Sequence, residues 1–272
     1  MSAIPDFRQA LTEGLIDLHL PTVRHCYEET ARGAEQETLS YEQYLAEVVS
    51  RECDERKKNR TFRLLRESQL PEDKTLGNFD LKRLPTKVGR QLRPLLDGSF
   101  LDRRENLLVF GNPGSGKTHL LCAIAQELVV KEGRRIHLTT CALLVQELLA
   151  AKRDLKLSRT IKKLARYEGL IIDEMGYVQQ SREEMEVLFT LLAERYERGS
   201  VLLTSNLPFS KWDGIFKDPM TTAAAIDRLV HHCIILELNI PSYRIEHARQ
   251  AQTQSAGEET TGAPPAAAEK SM

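Results

Sequence analysis

The chain has 272 residues, of which 41% are hydrophobic and 28% charged, and its formal net charge is −1. That length allows one large domain or two smaller ones with a real core, and the balanced charge excludes a global field steering the protein to nucleic acid. The start Met1–Arg8 lacks a basic region followed by an apolar one, and no apolar run reaches membrane-spanning length, so neither a signal peptide nor a membrane span is expected.

Residues 1–70 read as a small all-α N-terminal domain. Ser40 with Gln43 makes a capping-box pattern, after which Tyr41, Tyr44, Leu45, Val48 and Val49 share one helical face. Beyond Val49 the apolar stripe fades. Arg51, Arg56, Lys57, Lys58, Arg60, Arg63 and Arg66 then crowd together, opposed by Glu52, Asp54, Glu55 and Glu67. Such a run is either a solvated face laced with ion pairs or a phosphate-contacting helix, with Arg56, Lys57, Lys58 and Arg60 as its candidate contacts.

Pro71 to Gly98 reads as a loop, because Pro71, Gly77, Pro85, Pro94 and Gly98 interrupt any regular pattern. Thr75–Phe79 is an apolar island within it, able to pad a base or to cover a sheet.

From Asn106 the pattern alternates strand and helix, which predicts a parallel sheet. Leu107–Phe110 reads as the first strand, and Gly111, Asn112, Pro113, Gly114, Ser115, Gly116, Lys117 and Thr118 follow with the spacing of a phosphate-binding loop. Glycines allow several backbone N–H groups to converge on one anion, and the helix that begins near Gly116 adds a partial positive charge. Lys117 would reach the β- and γ-phosphates of ATP, Thr118 would ligate Mg²⁺, and His119 lies just beyond.

A second strand at Arg135–Thr140 and a helix around Leu143–Ala151 precede the most basic stretch of the chain. There Lys152, Arg153, Lys156, Arg159, Lys162, Lys163 and Arg166 are accompanied by one acid, Asp154, and the imbalance points to nucleic-acid contact. Leu170–Glu174 is a buried strand ending in two carboxylates. Asp173 would hold Mg²⁺ through its water shell and Glu174 would polarise the attacking water, turning binding into hydrolysis.

Glu183–Arg198 reads as an amphipathic helix and Ser200–Asn206 as the next strand, whose carboxyl end would bring Asn206 near Glu174. Trp212 and Phe216 read as core aromatics, Ala223–Val230 as a helix carrying Arg228, and Cys233–Leu238 as a final strand. The His231–His232 pair has no metal-ligand company in sequence. The polar tail 251–272 cannot bury enough surface to order itself. The five cysteines form no Cys-x-x-Cys pair, so small buried thiols in a reducing, cytoplasmic setting are expected.

Taken together, the phosphate loop, Ile171–Tyr177, Leu203–Asn206, Ile226–Leu229 and Pro241–Arg244 resemble the IstB family of insertion-sequence helper ATPases. Leu39–Leu45 is similar to that family too, and the likeness extends over most of residues 10–247. It implies a AAA+ P-loop domain over residues 71–250, with relatives among the DnaC-like helicase loaders. It also implies that Asn206 is a sensor and that Arg228 is an arginine finger acting on the neighbouring subunit's nucleotide. Arg244 would contact nucleotide within its own subunit, and the acid-bearing strand would lie beside the phosphate-loop strand.

The resemblance further implies a homo-oligomer that assembles on duplex DNA with ATP and works with a transposase, its hydrolysis prompted by assembly or partner. For DNA contact it points loosely to the N-terminal basic helix and to the inner basic segment, within which Lys152, Arg153, Lys156, Arg159, Lys162 and Lys163 are candidates by charge and not by motif. A helicase loader with a replicative helicase as partner shares the catalytic core. A small-molecule kinase would share only the loop, and the acceptor pocket and lid it needs are not seen as motifs.

Overall fold

The computed structural model describes residues 7–176, 181–212, 219–243 and 245–246. The chain divides into two compact units, Met1–Leu64 and Leu65–Met272.

The first unit is helical, built from α1 (Phe7–Asp17), α2 (Pro21–Gln36) and the greater part of α3 (Tyr41–Ser68). Leu15, Val23 and Val48 are its buried apolar residues, with Leu20, Tyr27 and Tyr44 packed around them. Proline suits the first turn of α2, where its missing N–H has no helical partner. The next two N–H groups, of Thr22 and Val23, donate to Oε2 of Glu52 at 2.8 and 3.1 Å. Glu52 is only 3% exposed, so this acid of the basic run is a helix cap supplied from α3. The Ser40–Gln43 capping box forms in both directions. Of the apolar face expected after it, Val48 is buried and Tyr44 half-buried, whereas Tyr41, Leu45 and Val49 stay exposed. Within this unit, the short α1 and α2 cover only a narrow stripe of α3.

In the second unit the segment expected to be a loop contains a short 3₁₀ turn, Leu81–Arg83, and a helix, α4 (Thr86–Leu96). Its two prolines differ in cost, because the first lies before the helix and the second, inside it, forgoes one helical hydrogen bond. Pro85 precedes the first turn, and Pro94 lies in the last, while Val88, Leu92 and Leu95 form one buried face. After α5 (Ser99–Asp102) come β1 (Asn106–Gly111), α6 (Lys117–Glu132), β2 (Ile136–Thr140), α7 (Cys141–Arg153) and α8 (Leu157–Leu164). They are followed by β3 (Gly169–Met175), α9 (Arg182–Arg195), β4 (Ser200–Ser205), α10 (Pro219–Val230) and β5 (Cys233–Leu238).

The five strands form one parallel sheet in the order β2-β3-β4-β1-β5. Strand β4 therefore separates β3 from β1, which corrects the expectation that the acid-bearing strand adjoins the phosphate-loop strand. The central position of β4 explains its apolar sequence, since a strand with neighbours on both edges and helices on both faces is buried throughout. One face packs on α7, α8, α9 and α10 through Leu108, Leu170, Ile172 and Leu203. Helix α6 packs against β1 and β4. Among the described residues, no helix is long and apolar enough to cross a membrane.

Candidate functional site

The phosphate-type loop leaves the end of β1 and enters α6. Gly114 and Gly116 have φ of 78° and 91°, in the left-handed region that a side chain disfavours. A Cβ on Gly114 would also meet Ser242 Oγ at 2.1 Å, so the segment after β5 closes directly over the loop. Tyr243 N–H donates to Gly114 O at 3.0 Å. Lys117, 7% exposed, donates from Nζ to Asn112 O at 2.9 Å. The Ser115 hydroxyl is buried with no hydrogen-bond partner among the described residues. A turn with left-handed glycines that buries an ammonium and leaves a hydroxyl unanswered fits a multivalent anion such as a nucleotide phosphate.

The two carboxylates are placed by a bulge. Ile172 pairs with Leu203 and Met175 with Ser205, so Asp173 and Glu174 together oppose the single residue Thr204. In a regular strand adjacent side chains point to opposite faces. Here Glu174 takes φ of 61°, uncommon for a residue with a side chain, and its N–H donates to Thr204 Oγ1 at 3.0 Å. The Thr204 hydroxyl in turn donates to Asp173 Oδ1, as does Thr118 Oγ1 at 2.9 Å. An octahedral oxygen shell around Mg²⁺ has edges of about 3 Å, so Thr118 and Asp173 stand at a spacing that fits such an ion.

A cavity of about 330 Å³ opens beside the loop. Lys117, Thr118, Glu174 and Asn206 share its wall, so the fold gathers the residues expected to act on phosphate. Its other side sets the rings of Phe79 and Tyr243 among polar residues that include Lys74, Asn78, Asp80 and Arg83. Phe79 reaches within 3.1 Å of where a Cβ on Gly116 would stand. His119 meets the Phe79 ring edge-on and its Nε2 lies 3.1 Å from Thr75 O, which secures the island Thr75–Phe79 to the start of α6. Arg83 lies over the Tyr243 ring, 5.1 Å from its centroid, and pairs with Glu246 at 2.5 Å. Motif chemistry assigns no role to Thr204, Arg83 or Tyr243. Thr204 and Tyr243 sit inside motif segments, but only the neighbouring strand or the folded loop gives them their surroundings.

Arg228 is elsewhere. The Asn106 side chain, at the start of β1, donates to Leu229 O at 3.0 Å and accepts from Val201 N–H at 2.8 Å. Arg228 thus belongs to the end of the sheet opposite Gly111, about 17 Å away along a six-residue strand. Arg244, Tyr177, Phe216 and the tail 251–272 lie outside the described residues.

The basic positions are surface-exposed or nearly so, and several have acids that the local sequence does not reveal. Lys152 pairs with Glu186, Lys163 with Glu147 and Lys156 with Asp154. Among the described residues no ion pair joins Arg153, Arg159 or Lys162. Leu155, in the turn between α7 and α8, is 95% exposed. In the N-terminal run Arg56 is held by Glu52 and Lys58 by Glu55, and no ion pair among the described residues joins Lys57 or Arg60.

Two further groups differ from the sequence reading or refine it. Glu197 comes to the His231–His232 pair, their ligand atoms lying within 4.8 Å of one another, all on exposed residues. Burial pushes the Cys122 thiol up to about 12, which makes it an inert filler of α6.

Against known proteins, the family model described as IstB-like ATP binding protein matches residues 14–251. A Sinorhizobium fredii protein named as an insertion sequence ATP-binding protein is 40% identical, over 88% of this chain and 80% of its own. An insertion sequence ATP-binding protein of Geobacillus stearothermophilus is 36% identical, over 85% and 92%. Among solved structures, the DnaC helicase loader matches with a TM-score of 0.54 and 16% identity, over 62% of this chain and 98% of that one. AMPPCP-bound DnaA from Aquifex aeolicus matches with a TM-score of 0.54 and 17% identity, over 69% and 57%. At such identities the likeness speaks for the fold alone.

Proposed function

This chain belongs to the IstB-like ATP-binding protein family, and from that premise we propose that it is an ATP-hydrolysing, DNA-bound regulator of transposition. Its substrate is ATP, its partners are duplex DNA and a transposase, and it works as a homo-oligomer. The insertion-sequence relatives favour this reading over helicase loading, which the same domain would serve equally well.

The observation that carries hydrolysis is the bulge at Asp173 and Glu174, because it sets Asp173 against the Thr118 hydroxyl while Glu174 lines the cavity beside the loop. Lys117 binds the β- and γ-phosphates, and the loop N–H groups hold their oxygens. Thr118 would offer a hard oxygen to Mg²⁺ and Asp173 would hold the ion through its water shell, and the ion would supply neutralisation of phosphate charge. Glu174 orients and polarises the attacking water, with Asn206 beside it in the same wall. Phe79 and Tyr243 supply ring surface for the base, and Arg244 contacts nucleotide from within the subunit.

The distance of Arg228 from its own loop supports action on a neighbour's γ-phosphate, with rate effects of about 10³–10⁵ in related nucleotidases. Hydrolysis then depends on assembly. The exposed cations Arg153, Arg159 and Lys162, with Lys152, Lys156 and Lys163 beside them, contact DNA phosphates, and the N-terminal set Arg56, Lys57, Lys58 and Arg60 adds to the grip.

The test is ATPase rate against protein concentration, with and without duplex DNA. A steep concentration dependence that DNA stimulates is expected. A rate per subunit that is constant and indifferent to DNA overturns the proposal.

A further inference from the structure

In the reading of Arg228 as a trans-acting group, what holds its guanidinium in place matters as much as its charge. A carboxylate would orient it but would also neutralise it and compete with an incoming phosphate. The structure uses a ring instead. Arg228 Cζ lies 4.5 Å from the centroid of Phe189, on α9, and no ion pair among the described residues joins Arg228. An aromatic face fixes the plane of a guanidinium while leaving its N–H edge able to donate. One part of that edge is unspent, for Arg228 Nη1 is buried and has no hydrogen-bond partner among the described residues.

A buried donor without an acceptor is a cost in the single chain, and the cost is recovered when an anionic oxygen arrives. The remaining surroundings leave the charge unquenched. The adjoining cavity of about 230 Å³ is lined by Arg195, Arg103 and Arg104 as well as Arg228, with Glu197 as its one carboxylate among the described residues. Arg195 is only 2% exposed and spends its Nη1 and Nη2 on the carbonyls of Leu164, Tyr167, Glu168 and Ser200. Burial pushes its pKa down to about 10. It therefore braces the cavity floor and does not tie down Arg228.

We infer that Phe189 is a positioning residue for hydrolysis at the neighbouring subunit's site, its ring presenting Arg228 in a fixed plane with the charge available. The inference rests on the trans-acting reading of Arg228 proposed above.

The test mixes two full-length variants on duplex DNA with ATP. Arg228→Ala keeps a competent nucleotide site, and Glu174→Gln keeps Arg228 but does not hydrolyse. Mixing them should restore turnover. Adding Phe189→Leu, which keeps apolar bulk without a ring, to the Glu174→Gln chain should lower the restored rate about tenfold, the scale of one cation–π contact. Added to the Arg228→Ala chain it should change nothing. Phe189→Tyr on the Glu174→Gln chain should keep the rate, which controls for folding, and ATP affinity should not move in any of these. If mixing restores no turnover, the trans reading of Arg228 falls and this inference with it. If mixing restores turnover but Phe189→Leu acts equally from both chains, or from neither, the inference alone falls.

Discussion

Thr204 Oγ1 donates to Asp173 Oδ1 at 2.5 Å while accepting the N–H of Glu174, so one hydroxyl on β4 holds both acids of β3 in their bulged arrangement. Thr204→Val keeps the shape and removes the hydroxyl, leaving a buried N–H and a carboxylate oxygen without that partner. Loss of about 1–3 kcal/mol of stability is expected, with a fall in ATP turnover of about ten- to a hundredfold. Thr204→Ser should stay close to wild type in both. Thermal unfolding and steady-state ATPase assays on the two variants check this, and equal behaviour of Val and Ser removes the role of the hydroxyl.

Glu174 occupies a left-handed backbone conformation that costs a residue with a side chain about 1 kcal/mol. Glu174→Gly should therefore raise the melting temperature slightly while abolishing turnover. Glu174→Gln should bind ATP and remain assembled on DNA, because the water is no longer activated. Lys117→Ala should lose ATP binding and assembly together. Nucleotide binding, hydrolysis and sedimentation measured on the three separate these outcomes, and wild-type turnover by Glu174→Gln would count against its role as the activating carboxylate.

Arg153, Arg159 and Lys162 have no ion pair among the described residues, whereas Lys152 and Lys163 answer Glu186 and Glu147. Neutralising the first three should weaken DNA binding more than neutralising the second two. It should also flatten the dependence of log affinity on log salt by about 0.9 for every DNA phosphate that no longer meets a cation. Titrations of duplex DNA at several salt concentrations check the slopes; identical slopes for both sets would move the DNA surface elsewhere.

Glu52 gives a pH dependence with a definite sign. Burial raises its pKa, but hydrogen bonds from Arg56 and from the Val23 and Thr22 N–H groups outweigh it, and the net shift is downward. Its stabilising contribution is therefore complete above the unfolded value of about 4.3 and falls away as pH drops through the lower folded value. Glu52→Gln should destabilise the helical unit at neutral pH by about 1–3 kcal/mol and flatten its acid-unfolding profile below that range. Helical circular dichroism through acid titration, wild type against variant, measures both effects.

Much of the nucleotide domain is legible in the sequence because local rules act over short spans. The strands from β1 to β5 are apolar runs bounded by turn residues, and the loop Gly111–Thr118 shows in its glycine spacing. Helix α4 is hidden because Pro85 and Pro94 read as breakers, although Pro85 lies just before the helix and Pro94 only in its last turn. The apolar face Tyr41–Val49 promises more burial than the fold delivers, since periodicity reports what a helix could bury and not what arrives to cover it.

The order of the strands lies beyond local rules. With β4 between β3 and β1, Thr204 comes to sit against Asp173 and Glu174, and the bulge that sets Asp173 against Thr118 and Glu174 on the cavity wall exists only through that pairing. The same holds for charge. Composition counts one acid beside the basic stretch, while α7 and α9 supply Glu147 and Glu186 from a distance in sequence. What the sequence by itself determined was the pattern of Gly111–Thr118 and of the two carboxylates, because residue type and spacing carry those, while the role read for Arg228 comes from the family resemblance alone. What only the tertiary structure decided was their partners and reach, since a hydrogen bond across strands or a ring beneath a guanidinium depends on packing that no single segment encodes.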